Sequence, residues 1–454
     1  MSSSDLTDGP GNNGGGRSVD WTPVPQTALV IHPVRPGAGP LRTPEARLEE
    51  AVGLAEALDL EVREARVAPL RAATPSTLFG KGKVAELGER CEALEVNVAV
   101  VDDALTPVQQ RNLEKAWQVK VLDRTGMILE IFARRARTRE GRLQVELARL
   151  AYERSRLVRT WTHLERQRGG FGVMGGPGET QIETDRRLLA DKIGRLKKEL
   201  DEVRRTRTLQ RDARKRAPFP TIALVGYTNA GKSTLFNRLT QAQVEARDML
   251  FATLDPTLRT VALPGGRPAI LSDTVGFISD LPHELVDAFR ATLEEVQEAD
   301  VVLHVRDISS EETEAQAEDV RKVLKQLDAG QDGQTLIEVW NKIDRLPQDD
   351  RDSLFAKSRR SLEFGDHPAV ALSAVTGEGC DALLELLAHL VDDEAPIAAD
   401  LGPGDGEALA WLYRNGRVTS REDRPDGGLH LEVKLDAQAL GRFERLYPGA
   451  LTAH

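Results

Sequence analysis

The residues most able to do chemistry form the run Gly226-Tyr227-Thr228-Asn229-Ala230-Gly231-Lys232-Ser233, a G-x-x-x-x-G-K-S pattern. The apolar run Ile222-Ala223-Leu224-Val225 precedes it and Thr234-Leu235-Phe236-Asn237-Arg238-Leu239 follows. Strand, glycine-rich loop and helix therefore come in the order that a phosphate-binding loop needs. Its glycines let the backbone wrap until successive N–H groups face one phosphate, and the positive end of the next helix faces the same anion. Lys232 would reach the β and γ phosphates, and the Ser233 hydroxyl would take one position on Mg²⁺. A glycine-rich turn with an exposed lysine would look the same in isolation, so the other parts of a site decide the matter.

Those parts follow in order. Phe251-Ala252-Thr253-Leu254-Asp255-Pro256-Thr257 is the candidate first switch, and of its two threonines Thr253 is the expected Mg²⁺ ligand when the γ-phosphate is present. Ile270-Leu271-Ser272 leads into Asp273-Thr274-Val275-Gly276, a strand ending in D-x-x-G. Asp273 would hold Mg²⁺ through a water, and the Gly276 N–H would sense the γ-phosphate. Lys232, Thr253 and Gly276 are thus the expected catalytic set. The next residue, where many GTPases carry a water-orienting glutamine, is Phe277, whose ring can neither donate nor accept that hydrogen bond. Asn341-Lys342-Ile343-Asp344 follows the strand-like 336–340. The Asp344 carboxylate, an acceptor only, can take both guanine N1–H and N2–H, which adenine does not present. Ser373-Ala374-Val375 would supply a backbone N–H for guanine O6. Four matches in order on four strand ends make coincidence remote.

A chain of 454 residues exceeds one ordinary core. Aromatics are only 4%, so the cores must be aliphatic. Cys91 and Cys380 stand far apart without metal-ligand spacing, which excludes a disulfide framework and a zinc site and suits a reducing compartment. The Ser/Gly/Asn-rich residues 1–25 read as a disordered leader rather than a signal peptide, and no run reaches membrane-spanning length, so a cytoplasmic protein is expected. Residues 26–133 alternate strand and helix, which predicts a small α/β domain with a parallel sheet. Within it, Phe79-Gly80-Lys81-Gly82-Lys83 has the wrong spacing for a nucleotide loop and reads as a tight turn before a helix.

The net charge of −11 conceals a basic block over 134–216, where 24 Lys/Arg face 12 Asp/Glu. One basic segment in an acidic protein suggests commitment to a polyanion. Leu143, Leu147, Leu150, Arg154, Leu157, Trp161 and Leu164 step by 4 and 3, and Ile182, Arg186, Leu189, Ile193, Leu196, Leu200 and Val203 repeat the step. Two heptad helices joined by one loop bury their seams only by folding back, which predicts a projecting antiparallel hairpin. Its tip, 169–178, is dense in glycine, more than a reversal between helices demands. Arg166, Arg168 and Phe171, with Gly169, Gly170, Gly172, Gly175 and Gly176, suit ordering against RNA, with charge and one stacking surface. A solvated coiled coil with a floppy connector is the plainer alternative. The nucleotide domain should span 217–393, and 394–454 reads as a small α+β unit with a hairpin of 418–421 and 429–435 packed by helices 406–415 and 437–446. The expected fold is therefore α/β: a P-loop GTPase domain preceded by a small α/β domain with a projecting hairpin and followed by an α+β domain.

With these segments in view, the chain resembles the HflX family of ribosome-associated GTPases from about residue 27 to its end. The resemblance rests on Leu78-Phe79-Gly80-Lys81-Gly82-Lys83, Asp123-Arg124-Thr125, Gly169 through Thr180 with Gln181-Ile182-Glu183-Thr184-Asp185, and the segments 226–233 and 251–257, and weakens in the last sixty or so residues. It implies a GTPase that in its GTP state binds the large ribosomal subunit with its RNA; GTP and GDP as ligands, Mg²⁺ as cofactor, a monomer, no DNA and no membrane insertion, with peripheral association left open, are the further expectations. The hairpin loop would sit near the peptidyl transferase centre, and the protein would split or rescue stalled or idle ribosomes, notably under stress. The family also assigns the Mg²⁺-binding threonine to Thr253. One alternative is an RNA-binding assembly factor in which hydrolysis only times release. Another is an adaptor whose basic coiled coil docks on a protein or an anionic surface.

Overall fold

The computed structural model describes residues 26–36, 42–167, 177–215, 219–242, 250–281, 295–327, 329, 334–364, 368–391, 397–435 and 437–452. Strands β1 (Thr27–Val34), β2 (Glu61–Pro69), β3 (Val98–Val101) and β4 (Lys120–Asp123) form a parallel sheet in the order β2-β1-β3-β4. Helices α1 (Pro44–Glu56), α2 (Lys81–Ala93) and α3 (Pro107–Trp117) make the crossovers. Both α1 and α3 begin with proline after a threonine whose hydroxyl accepts a backbone N–H, Thr43 from Ala46 and Thr106 from Gln109, so each start is fixed locally.

The periodicity missed the next helix, α4 (Arg124–Arg135). Asp123, the last residue of β4, is its N-cap and accepts the Gly126 N–H at 2.9 Å. The same buried carboxylate accepts the Leu105 N–H and the Tyr152 hydroxyl, which ties the sheet edge to the next helix along. Burial pushes the Asp123 carboxyl up, against the pull of Arg156.

Helices α5 (Arg139–Gln167) and α6 (Pro177–Lys215) form the antiparallel hairpin. Leu143, Leu150, Ile193, Leu196 and Leu200 bury one another along its seam, with Leu147, Leu189 and Val203 at its margin, and Lys192 bridges Glu146 at 2.7 Å. At 1.5 Å per residue the arms extend about 44 and 58 Å. Pro177 opens the second arm inside the stretch expected as loop, because its fixed φ suits the first helical turn. Arg154 and Arg186, placed in the apolar steps by spacing alone, are exposed.

The second sheet runs β10-β9-β8-β5-β7-β6, from β5 (Thr221–Gly226), β6 (Thr257–Ala262), β7 (Pro268–Asp273), β8 (Val301–Asp307), β9 (Thr335–Asn341) and β10 (Ala369–Ala371). Only the edge strand β6 is antiparallel. The third sheet, β12-β13-β11-β14, joins β11 (Ile397–Leu401), β12 (Arg417–Asp423), β13 (Leu429–Lys434) and β14 (Leu451–Thr452). Its central strand β11 has no period-2 apolar alternation and was not expected, whereas the hairpin and both helices were. The first two sheets share a core: Met127, Ile131 and Phe132 of α4 cluster with Phe251, Leu254, Val275 and Phe277. Among the described residues no helix is long and apolar enough to cross a membrane.

Candidate nucleotide site

Central strand β5 ends at Gly226, and the chain turns through 227–231 into helix α7 (Lys232–Thr240). This is where open parallel sheets bind ligands, outside the carboxyl ends of their strands. The concavity there is lined by Thr228, Asn229, Lys232, Ser233, Thr253 and Gly276, among others. The glycine-rich run, the candidate first switch and the D-x-x-G segment therefore meet at one place.

Three oxygens converge beside the loop. The Ser233 and Thr253 hydroxyls lie 2.8 Å apart, and each contacts Asp273 Oδ2, at 2.7 and 3.2 Å. Among the described residues, Asp273 Oδ1 is buried without a hydrogen-bond partner. Burial pushes the Asp273 carboxyl up, against the Ser233 hydrogen bond and the charge of Lys232. Lys232 is itself buried and curls back onto the Gly226 and Tyr227 carbonyls at 3.1 and 2.9 Å. Desolvation pushes its ammonium down to about 8; Asp273 opposes this and Lys342 reinforces it. The Gly276 backbone packs so closely on the loop that a Cβ there would sit 2.9 Å from Thr228 Cα and 3.1 Å from Lys232 Nζ.

The base-selecting elements assemble on the far side. Asn341 donates to the Ala230 carbonyl at 2.9 Å and accepts the Ala374 N–H at 3.0 Å, which locks the phosphate loop to residues 373–375. Lys342 takes a left-handed backbone and pairs with Asp307 at 2.7 Å. Ile343 is buried beneath, and the exposed Asp344 accepts the Ser373 hydroxyl at 2.6 Å. Val375 is exposed at the rim. Arg238, unassigned by sequence, leaves α7 to donate to the carbonyls of Ala374 and Val375. No motif marks it, because only the fold brings the end of α7 against that loop.

Other expected residues turn elsewhere. Tyr227 sends its ring away from the concavity: its hydroxyl reaches Glu50 of α1 and accepts the Ser279 N–H at 2.9 Å and Arg42 at 3.2 Å. Leu254 and Val275 are core residues. Thr274 donates to the Leu224 carbonyl at 2.5 Å. Asp255 was expected at the nucleotide, but its carboxylate faces the start of α5 instead, where it accepts the N–H groups of Arg137 and Thr138 at 2.8 and 2.9 Å. Phe277 is buried among the residues shared with α4, and its backbone pairs with Gly226 and Thr228. Beside it, Arg124 bonds Asp102 at 2.6 Å, Glu50, and both oxygens of Ser279. The Asp102 and Glu50 carboxylates hold its guanidinium strongly protonated despite burial. Arg168, Gly169, Gly170, Phe171, Gly172, Gly175 and Gly176 lie outside the described residues, as does the side chain of Arg166 on α5.

Four family models match the chain in order. They are described as GTP-binding GTPase N-terminal over residues 45–133, GTP-binding GTPase Middle Region over 135–214, 50S ribosome-binding GTPase over 221–342, and HflX C-terminal domain over 363–449. The GTPase HflX of Magnetococcus marinus is 54% identical over 399 residues, covering 87% of this chain and 90% of the relative. That of Escherichia coli is 44% identical over 393 residues, covering 86% and 89%. A crystal structure of SsGBP with GDP covers 81% of this chain and 98% of its own at 24% identity, with a TM-score of 0.48.

Proposed function

Because the chain belongs to the HflX family of GTPases, we propose that it is a GTP-hydrolysing switch that acts on the large ribosomal subunit. The observation that carries the switch is the convergence of Ser233, Thr253 and Asp273, which come from the phosphate loop, the candidate first switch and the D-x-x-G segment. Two hydroxyls and a carboxylate with one orphaned buried oxygen are the hard donors that a small divalent cation prefers, so Mg²⁺ fits. Ser233 and Thr253 would ligate it directly and Asp273 through a water. When bound, it would neutralise charge on the β and γ phosphate oxygens.

The chain's own residues do the rest. Backbone N–H groups of 231–233 cradle the phosphates at the positive end of α7, and Lys232 swings from its two carbonyls to the β and γ oxygens. The Gly276 N–H donates to the γ-phosphate. Water attacks the γ-phosphorus as the bond to the β-phosphate oxygen breaks, leaving GDP and inorganic phosphate. Asp344 accepts guanine N1–H and N2–H, a backbone N–H of residues 373–375 donates to O6, and Arg238 braces the carbonyl side of that loop. With the Phe277 ring in the core, the residue at the usual water-orienting position offers no hydrogen-bonding group, so free protein hydrolyses GTP slowly and a ribosomal partner completes the site.

The ribosomal assignment is supported by the 50S ribosome-binding GTPase description of the matched residues 221–342 and by the basic hairpin over 134–216. In this reading the hairpin loop enters near the peptidyl transferase centre, with Arg166, Arg168 and Phe171 against RNA, and the outcome is separation or rescue of stalled or idle ribosomes. Sedimentation of the protein with purified large subunits in a non-hydrolysable GTP analogue, in GDP and without nucleotide tests it. Binding that favours the analogue and weakens with salt is expected. Equal binding in all three states would point to an assembly factor held by the hairpin alone.

A further inference from the structure

The first switch is fastened at both ends to the N-terminal half of the molecule. At one end Phe251 packs edge-on against Phe132 of α4, with ring centroids 4.7 Å apart. At the other, Asp255 Oδ2 accepts the Arg137 and Thr138 N–H groups, and Oδ1 accepts the Thr138 hydroxyl. Thr138 immediately precedes α5 and caps it, since its hydroxyl also accepts the Gly141 N–H at 3.0 Å and its carbonyl the Arg142 N–H at 3.1 Å. The Asp255 carboxylate thus occupies the positive end of a 29-residue helix, the first arm of the hairpin. Gly141 makes room for it, because a Cβ there would lie 2.5 Å from Asp255 Oδ1. Between the two anchors, Leu254 is buried in the shared core and Thr253 faces Ser233 and Asp273.

We propose that Asp255 and the base of α5 form a clasp that makes closure of residues 251–255 over the nucleotide and the setting of the hairpin a single event. Asp255 is then a positioning residue for Thr253, and anything that reorients the hairpin base changes the preference for GTP over GDP. By linkage the reverse holds by the same factor. The inference rests on the reading of Thr253 as the residue that closes on the GTP-bound metal.

The full-length protein is titrated with a non-hydrolysable GTP analogue and with GDP as wild type, Asp255→Ala, Gly141→Ala and Thr253→Ala, with a melting curve for each. Gly141→Ala changes no residue of the nucleotide domain and raises helix propensity, and its melting curve separates displacement of the Asp255 carboxylate from unfolding. Thr253→Ala should lose analogue preference. Asp255→Ala and Gly141→Ala should each weaken the analogue about tenfold and leave GDP unchanged, with the double variant no worse than the singles. If Thr253→Ala loses the preference while the other two stay within about twofold of wild type, the clasp is overturned and the reading of Thr253 stands. Equal weakening of both nucleotides would also overturn it, in favour of a stabilising contact. If Thr253→Ala keeps its preference, the reading of the segment fails and the clasp fails with it.

Discussion

Ser233 Oγ and Thr253 Oγ1 stand 2.8 Å apart across the nucleotide concavity, and both reach the same oxygen of Asp273. Residues 20 and 40 positions from Ser233 along the chain have therefore been drawn to one point. Three oxygens this close hydrogen-bond one another, but they are also the donor set of a divalent cation. Removal of metal with a chelator should abolish hydrolysis, and added Mg²⁺ should restore it. Ser233→Ala should lower the single-turnover rate by about a hundredfold or more, since a ligand to the ion that offsets phosphate charge is lost.

Guanine selection should depend on Asp344 and Arg238 in different ways. Asp344→Asn replaces one acceptor oxygen with a donor, so GTP affinity should fall by a factor on the order of 10²–10⁴ while XTP, with a carbonyl at C2, should bind better than to wild type. Arg238→Ala removes the brace on the Ala374 and Val375 carbonyls without touching the base. It should weaken GTP and GDP alike by about tenfold and leave the turnover of bound GTP unaltered. Competition titrations against a fluorescent guanine nucleotide separate the two.

Lys232 gives the site a pH signature. Burial depresses its ammonium to about 8 in the free protein, and contact with phosphate oxygens must raise it again. GTP binds the protonated form, so affinity should be flat below pH 8 and fall as pH rises above it, by up to about one decade per unit until the pKa of the complex is passed. Calorimetry in buffers of different ionisation enthalpy should detect proton uptake on binding at pH 8.5 and little at pH 6.5.

The interface between the first two sheets depends on Arg124. Its guanidinium answers the buried Asp102 carboxylate at 2.6 Å as well as Glu50. Arg124→Ala would take the buried cation from both carboxylates, leaving Asp102 to His32 and Glu50 to the Tyr227 and Ser279 hydroxyls, at a cost of about 3 kcal/mol read by chemical denaturation. Because Ser279 shares the same guanidinium, nucleotide affinity should fall as well.

Much of this was legible in the sequence where local rules act. The P-loop, D-x-x-G and N-K-x-D elements are contiguous runs at the ends of the strands β5, β7 and β9, so residue type and spacing suffice. Side-chain direction was not legible wherever a second domain claims the residue. Tyr227 and Asp255 lie inside nucleotide motifs, yet Glu50 and Thr138, each more than a hundred positions away, take their polar groups. Helix α4 was missed although Met127 and Ile131, and Ile128 and Phe132, recur at helical i, i+4 spacing on one face; that face is buried in the core the two domains share. Arg154 and Arg186 show the opposite error: heptad spacing assigned them to a seam, but the side chains are exposed.

The measurement that bears most directly on the central claim is GTP hydrolysis by the purified protein, alone and with large ribosomal subunits, repeated with residues 169–178 replaced by a short linker. A slow intrinsic rate, raised more than about tenfold by the subunits and returned to the intrinsic value by the replacement, is the expected result. A fast intrinsic rate that ribosomal subunits leave unchanged would contradict the account, because the nucleotide site would then be complete without the partner.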